Sequence, residues 1–264
     1  MSTEPRTDLR SGTAGWPGGW RRRRRRARIR AVTRTIGIVA CSAEGAALCY
    51  RTICLEAAAV MGEHNHPEIV LHSIPMARHM VHVRVDDWQP VAELLLHSAE
   101  QAAKAGAQLA ICPDNTVHQA FDRMIGRSPI PWLHIARVVA EEASRRGWRR
   151  LGVLGTKYLM SGPVYAEALA AHGIAMEVPA AEQREAIDTI IFKELVNAVV
   201  RDESRRYLQE RIAELARAGC EAIVLGCTEL PLILEAGDSP LPLLDSTRLL
   251  ARAALREALR PAPR

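Results

Sequence analysis

Short apolar runs alternate with longer segments of helical period along most of this chain. The runs are TIGIVA (35–40), EIVLHSI (68–74), QLAICP (108–113), RRLGVLGT (149–156) and AIVLGC (222–227). Continuous apolar runs of this length, bounded by Gly, Pro and polar residues, predict buried strands. Between and after them, apolar residues recur at helical spacing over 44–61, 88–105, 117–125, 135–146, 164–172 and 247–258. Strands separated by helices predict βαβ units and parallel sheets, hence an α/β fold. Ligands on such sheets sit at the carboxyl ends of the strands.

The chain also resembles itself. GIVACS (37–42) is echoed by GVLGTK (152–157), and AKAG (103–106) with the QLAICPDNT that follows is echoed by ARAG (216–219) with EAIVLGCTE. The offsets, 115 and 113 residues, assign both echoes to one duplication. Two pseudo-symmetric lobes follow, each a mostly parallel sheet flanked by helices: 35–146 and 147–264, with 1–34 as a tail and the last helix free to pack back on the first lobe. Asp114 lies eight residues after Gly106, and Cys227 eight after Gly219. The duplication therefore sets Asp114 and Cys227 at corresponding strand ends, flanking one cleft between the lobes.

Two proton-transferring groups across a cleft suit chemistry at a single carbon, one removing a proton from one face and the other returning it to the opposite face. That is racemisation or epimerisation. A strand-to-helix turn offers backbone N–H groups that favour the Cys227 thiolate. Asn115, Thr116 and Thr228 add side-chain donors around the pair, which suits a substrate carboxylate. The plainer reading of Asn115-Thr116 and Thr228-Glu229 is helix capping. Asp114 is the unusual member. A carboxylate with an ordinary pKa near 3.9 is a weak base toward carbon, but burial beside a thiolate raises it. It could be the second base, hold a substrate amine, or orient a water while Cys227 alone donates the proton. Cys112 points the same way from the strand but sits about 6.6 Å behind. His118 either contacts the site or satisfies local backbone, Glu229 is a hydrogen-bonding or lobe-closing partner, and Asp245-Ser246-Thr247 predicts the N-cap of the last helix.

GCTELP (226–231), the DNT-x-H pattern (114–118), GTKYLMSGPVY (155–165), IIFKEL (190–195) and LLDST (243–247) resemble the aspartate/glutamate racemase family, which includes hydantoin racemases, maleate isomerases and arylmalonate decarboxylases. The resemblance runs from about Thr35 to Leu259. It implies a two-lobed α/β fold, no cofactor, and two cysteines that deprotonate and reprotonate the α-carbon of an acidic amino acid. Cys227 matches the second of those cysteines, and Thr228 its carboxylate-binding neighbour. Asn115 and Thr116 match the pair after the first cysteine, Thr156 matches the Thr of the second-lobe GT loop, and Ser42 lies on the first-lobe loop that helps hold substrate. Three positions depart from the pattern. Asp114 replaces the first cysteine, the first loop is Ala40-Cys41-Ser42-Ala43-Glu44 where many members are Gly-rich, and Val196 stands where the amino-acid racemases usually carry a Lys that grips the side-chain carboxylate. The resemblance also makes a homodimer an expectation. A decarboxylase or isomerase using Cys227 alone, or a small-molecule-binding relic, are the alternatives to a racemase.

Charge changes the picture only at one end. The net charge of +5 arises because residues 1–34 hold eleven Arg against Glu4 and Asp8, leaving the remainder at −4. Such an Arg- and Gly-rich tail without apolar period predicts disorder, and the folded body is not expected to bind nucleic acid. The six cysteines form no CxxC pair, which fits a reducing compartment. His64, His66 and His72 have no partner at metal-ligand spacing, so no metal is expected. No run reaches the roughly 18 apolar residues of a membrane span, and the expectation is a cytoplasmic protein.

Overall fold

The computed structural model describes residues 33–260. The first half runs β1 (Ile36–Ala40), α1 (Ala43–Met61), β2 (Ile69–Ser73), α2 (Met76–Val83), α3 (Trp88–Lys104), β3 (Leu109–Ile111), a 3-10 turn (Thr116–Ala120) leading into α4 (Phe121–Met124), β4 (Trp132–Leu133) and α5 (Ile135–Arg145). The second half runs β5 (Arg150–Leu154), α6 (Lys157–Ser161), α7 (Pro163–Ala170), β6 (Ala175–Glu177), α8 (Ala181–Lys193), a 3-10 turn (Leu195–Asn197), α9 (Asp202–Arg217), β7 (Ala222–Leu225), β8 (Leu243–Asp245) and α10 (Ser246–Ala258).

The strands form two four-stranded, all-parallel sheets of matching order, β2-β1-β3-β4 and β6-β5-β7-β8. The two-lobed α/β architecture expected from the repeat is the one the chain adopts. The edge strands β4, β6 and β8 are two or three residues long, too short to show a period of their own in the sequence. The Arg-rich tail falls outside the described residues except for its end, where Arg34 is no tail residue: its backbone N–H donates to Ala258 and its guanidinium pairs with Glu257.

In both sheets the two faces are covered by different helices, because strand side chains alternate between faces. Ile36, Ile38, Ala40, Leu109 and Ile111 pack against Cys49 and Ile53 of α1 and against Leu250, Ala251, Ala254 and Ala258 of α10. Val39, Cys41, Ala110 and Cys112 face α3 through Val91, Leu95 and Ala99. In the second sheet, Leu154, Ile223 and Leu225 meet Ile187 and Ile191 of α8 and Leu208, Ile212 and Leu215 of α9. Its other face, with Leu151, Val153, Ala222 and Val224, is covered by α7 and by Ala136, Val139, Ala140 and Ala143 of α5. The lobes thus exchange their last helices: α5, made with the first sheet, packs on the second, and α10, made with the second, packs on the first.

Candidate active site

The site lies where the carboxyl ends of the two sheets meet. Register decides which side chains stand together there. In the first sheet Ile36 pairs with Leu109 and Ile38 with Ile111; carried past the strand ends, the same register sets Cys41 beside Asp114. In the second, Leu151 pairs with Ala222 and Leu154 with Leu225, which sets Thr156 beside Cys227. Side chains in register on adjacent parallel strands point to the same face, so each lobe presents a neighbouring pair.

A cavity of about 40 Å³ separates the lobes. All seven residues expected from the sequence line it: Ser42, Asp114, Asn115, Thr116, Thr156, Cys227 and Thr228. So do Cys41, Glu229 and His79. Its outer wall is apolar, with Met76, Met80 and Val83 from α2 on one side and Ile191, Phe192 and Val196 on the other. No Lys or Arg lines it among the described residues.

Hydrogen bonds hold the two lobes in this arrangement. Ser42 caps α1 by accepting the Gly45 N–H at 3.0 Å, and its hydroxyl meets that of Thr228 from the other lobe at 3.2 Å. Thr156 caps α6 by accepting the Leu159 N–H at 3.2 Å, and its hydroxyl lies 2.9 Å from that of Thr116. Asn115 is clamped between Tyr165, whose hydroxyl donates to Oδ1 at 2.7 Å, and Ser246, which its Nδ2 reaches at 3.0 Å. Neither Asn115 nor Glu229 makes a side-chain cap bond to its own turn, so the capping reading does not account for them. Asp245, in contrast, caps α10 by accepting the Arg248 N–H at 2.9 Å.

The close approach of the lobes depends on Gly45. A Cβ there would fall 2.4 Å from Thr228 Cγ2 and 2.7 Å from the Pro113 carbonyl oxygen. The bonds of His118 are local, with Nδ1 donating to the Asp114 carbonyl at 2.7 Å and Nε2 accepting the Ile135 N–H at 3.4 Å. Burial and the neighbouring His134 hold its pKa well below the ordinary value. It is a neutral brace for the loop carrying Asp114. Cys112 is sealed in the core and does not reach the cavity.

The acids and thiols are electrostatically linked. Burial pushes the Asp114 carboxyl up to about 6, Glu229 adds to the rise, and bonds from the Cys41 thiol and the Val117 and Thr116 N–H groups pull it partly back. Cys227 donates to Glu229 Oε2 at 3.0 Å, and Thr228 donates to the same oxygen at 2.6 Å. Burial first, then Glu229, raises the Cys227 thiol well above the usual range. Burial, then Asp114, does the same to Cys41. Cys41 is the residue that reading the sequence for site chemistry passed over. The signal was present, since the 115-residue echo aligns it with Thr156.

Two parallel sheets meeting at their carboxyl ends over one cleft define a two-lobed α/β class, and here a thiol and a carboxylate line that cleft from opposite lobes. The chain belongs to the family described as Asp/Glu/Hydantoin racemase, which matches residues 36–254. It is similar to a candidate Asp/Glu racemase from Yersinia pestis, with 31% identity, a TM-score of 0.80, and coverage of 86% of this chain and 100% of that one. An aspartate racemase homologue from Pyrococcus horikoshii OT3 is 28% identical, with a TM-score of 0.73 and coverage of 86% and 100%. The broad specificity amino-acid racemase RacX of Bacillus subtilis (strain 168) is 21% identical over 194 residues, which is 72% of this chain and 82% of RacX.

Proposed function

We propose that the protein is a racemase or epimerase acting at the α-carbon of an amino acid or related small carboxylate, by proton transfer and without an added cofactor. The observation that carries this reading is the convergence of Cys227 and Asp114, one from each lobe, on a single cavity. A carbon held between them has an acid/base group on each face. One face loses the α-proton, the electron pair is delocalised into the substrate carboxylate, and the other face returns a proton with inversion. Ser42, Thr116, Thr156 and Thr228 line the cavity, and in this reading their hydroxyls hold that carboxylate and the charge that develops on it.

The substrate side chain is uncharged in this reading. An acidic side chain would meet Met76, Met80, Val83, Phe192 and Val196, with no Lys or Arg among the described residues lining the cavity to compensate it.

Proton NMR in deuterated water tests the reading, following the α-hydrogen of L- and D-amino acids and then optical rotation. Neutral amino acids should exchange and invert, and the Cys227→Ala variant should lose inversion by about 10²- to 10⁴-fold. A complete absence of exchange across acidic, basic and neutral substrates would overturn the proposal. Release of carbon dioxide from a disubstituted malonate, lost with Cys227→Ala, would replace it with decarboxylation.

A further inference from the structure

We infer that Cys41 is the acid/base group that meets the substrate carbon on the first-lobe face, and that Asp114 is a positioning residue that exchanges its proton with that thiol. The inference rests on the racemase reading and assigns a residue within it.

Three observations on the molecule carry it. First, all six cysteines lie among the described residues, and of these Cys41 and Cys227 line the cavity, one from each lobe. Second, the β1/β3 register, carried past the strand ends, brings Cys41 alongside Asp114, close enough for each group to shift the other's pKa. The second lobe has the same combination in a different order, Cys227 donating to Glu229 at 3.0 Å. Each face of the cavity therefore carries a thiol beside a carboxylate. In the first lobe the thiol has come from the end of β1 and the acid from the end of β3, whereas in the second the thiol ends β7 and the acid follows two residues later. Third, base strength separates the two candidates. An ordinary thiolate, with a pKa near 8.5, is about 300-fold more basic than a carboxylate at 6, and a stronger base removes a weakly acidic carbon-bound proton faster.

The proton inventory closes without any other reactant. Asp114 accepts the proton of Cys41, and the thiolate takes the α-hydrogen as a proton while the C–H electron pair stays with the substrate. Cys227 then gives its proton to the opposite face, forming the new C–H bond and leaving a thiolate, which is reprotonated through solvent as Asp114 gives up the proton it took from Cys41. The reverse direction uses the same steps in the opposite order, and solvent restores the starting protonation.

Enantiomer-resolved exchange in deuterated water tests the assignment. Cys41→Ala and Cys227→Ala should each lose inversion by about 10²- to 10⁴-fold while still exchanging the α-hydrogen of one enantiomer, the opposite one in the two variants. Cys41→Ser, which keeps a hydrogen-bond donor to Asp114 but is a far weaker acid, should behave as Cys41→Ala. Asp114→Asn should lose the same enantiomer as Cys41→Ala. Melting curves of the variants identify any that fail to fold, and the serine and alanine forms serve as substitutes for one another. Wild-type inversion in Cys41→Ala or Cys41→Ser, or equal loss for both enantiomers in a folded variant, overturns the role of Cys41 and leaves the racemase reading standing. A wild-type protein that exchanges no substrate overturns both.

Discussion

Asp114 is where single-residue chemistry governs both stability and activity. Its carboxyl is half-buried, with Cys41, Cys112, Cys227 and Glu229 around it and His79 across the cavity, and titrates near 6 in the fold against an ordinary value of 3.8. A pKa raised by folding contributes stability that is fully present below the unfolded value and lost as pH rises through the folded one. The loss amounts to roughly 3 kcal/mol between about pH 4 and pH 7. Asp114→Asn removes that dependence, so its melting temperature should match wild type near pH 4 and exceed it at pH 8 in parallel thermal scans. Activity runs the other way, because only the ionised carboxylate can accept a proton. The kcat/KM of wild type should rise with pH through an acid limb near 6, a limb absent from whatever activity Asp114→Asn retains. Asn115 is the other exacting position. Replacing Tyr165 by Phe strips the donor from its Oδ1 in a buried chain that continues through Ser246 to the Leu225 carbonyl. Chemical denaturation should register a loss of about 1–3 kcal/mol.

Among the elements, α1 bears most directly on the site. Its first turn carries Gly45 against Thr228 and the Pro113 carbonyl, backbone and a short side chain that cannot move aside. Gly45→Ala should force the amino end of α1 away from the second lobe, at about 1–3 kcal/mol of stability. In kinetic assays it should also lower kcat/KM at least tenfold, since small misplacements of catalytic groups are expensive. Strand-scale information was plain in the sequence: β1, β3, β5 and β7 are continuous apolar runs because both faces of a central parallel strand are buried. The residues at their ends followed from the same runs, which is why Asp114 and Cys227 could be paired before any geometry was known. Helices α8 and α9 were harder to read, since each buries a narrow stripe such as Leu208, Ile212 and Leu215 within a strongly charged segment, and α2 is only two turns long with His79 and Val83 buried. Because α2 went unread, so did the apolar wall of the cavity that Met76, Met80 and Val83 provide. Cys41 went unread for another reason. A cysteine at the end of an apolar strand looks like core, and only the β1/β3 register shows that it stands beside Asp114 rather than behind it.

On the scale of the whole molecule, the exchange of α5 and α10 ties the lobes into one folding unit. Neither sheet has both faces covered by helices from its own half of the chain alone. Ala254 of α10 packs in the core of the first sheet with Ile36, Ile38 and Ile111, so Ala254→Asp buries an unpaired charge in the first lobe from a position more than two hundred residues away from β1 in sequence. Calorimetry should show wild type unfolding in one transition. The variant should lose both lobes together at a lower temperature, and survival of the second lobe as a separate transition would contradict the coupling.

The same exchange sets a timetable for synthesis. Domains commonly fold in the order in which they leave the ribosome, but β1 to β4 emerge long before α10, which shares with α1 the cover over Ile36, Ile38, Leu109 and Ile111. The amino-terminal lobe must therefore wait, half dressed, until residues 246–258 are made. Nascent chains arrested ahead of Ser246 should stay sensitive to protease throughout both lobes, and resistance should come all at once when α10 clears the exit tunnel.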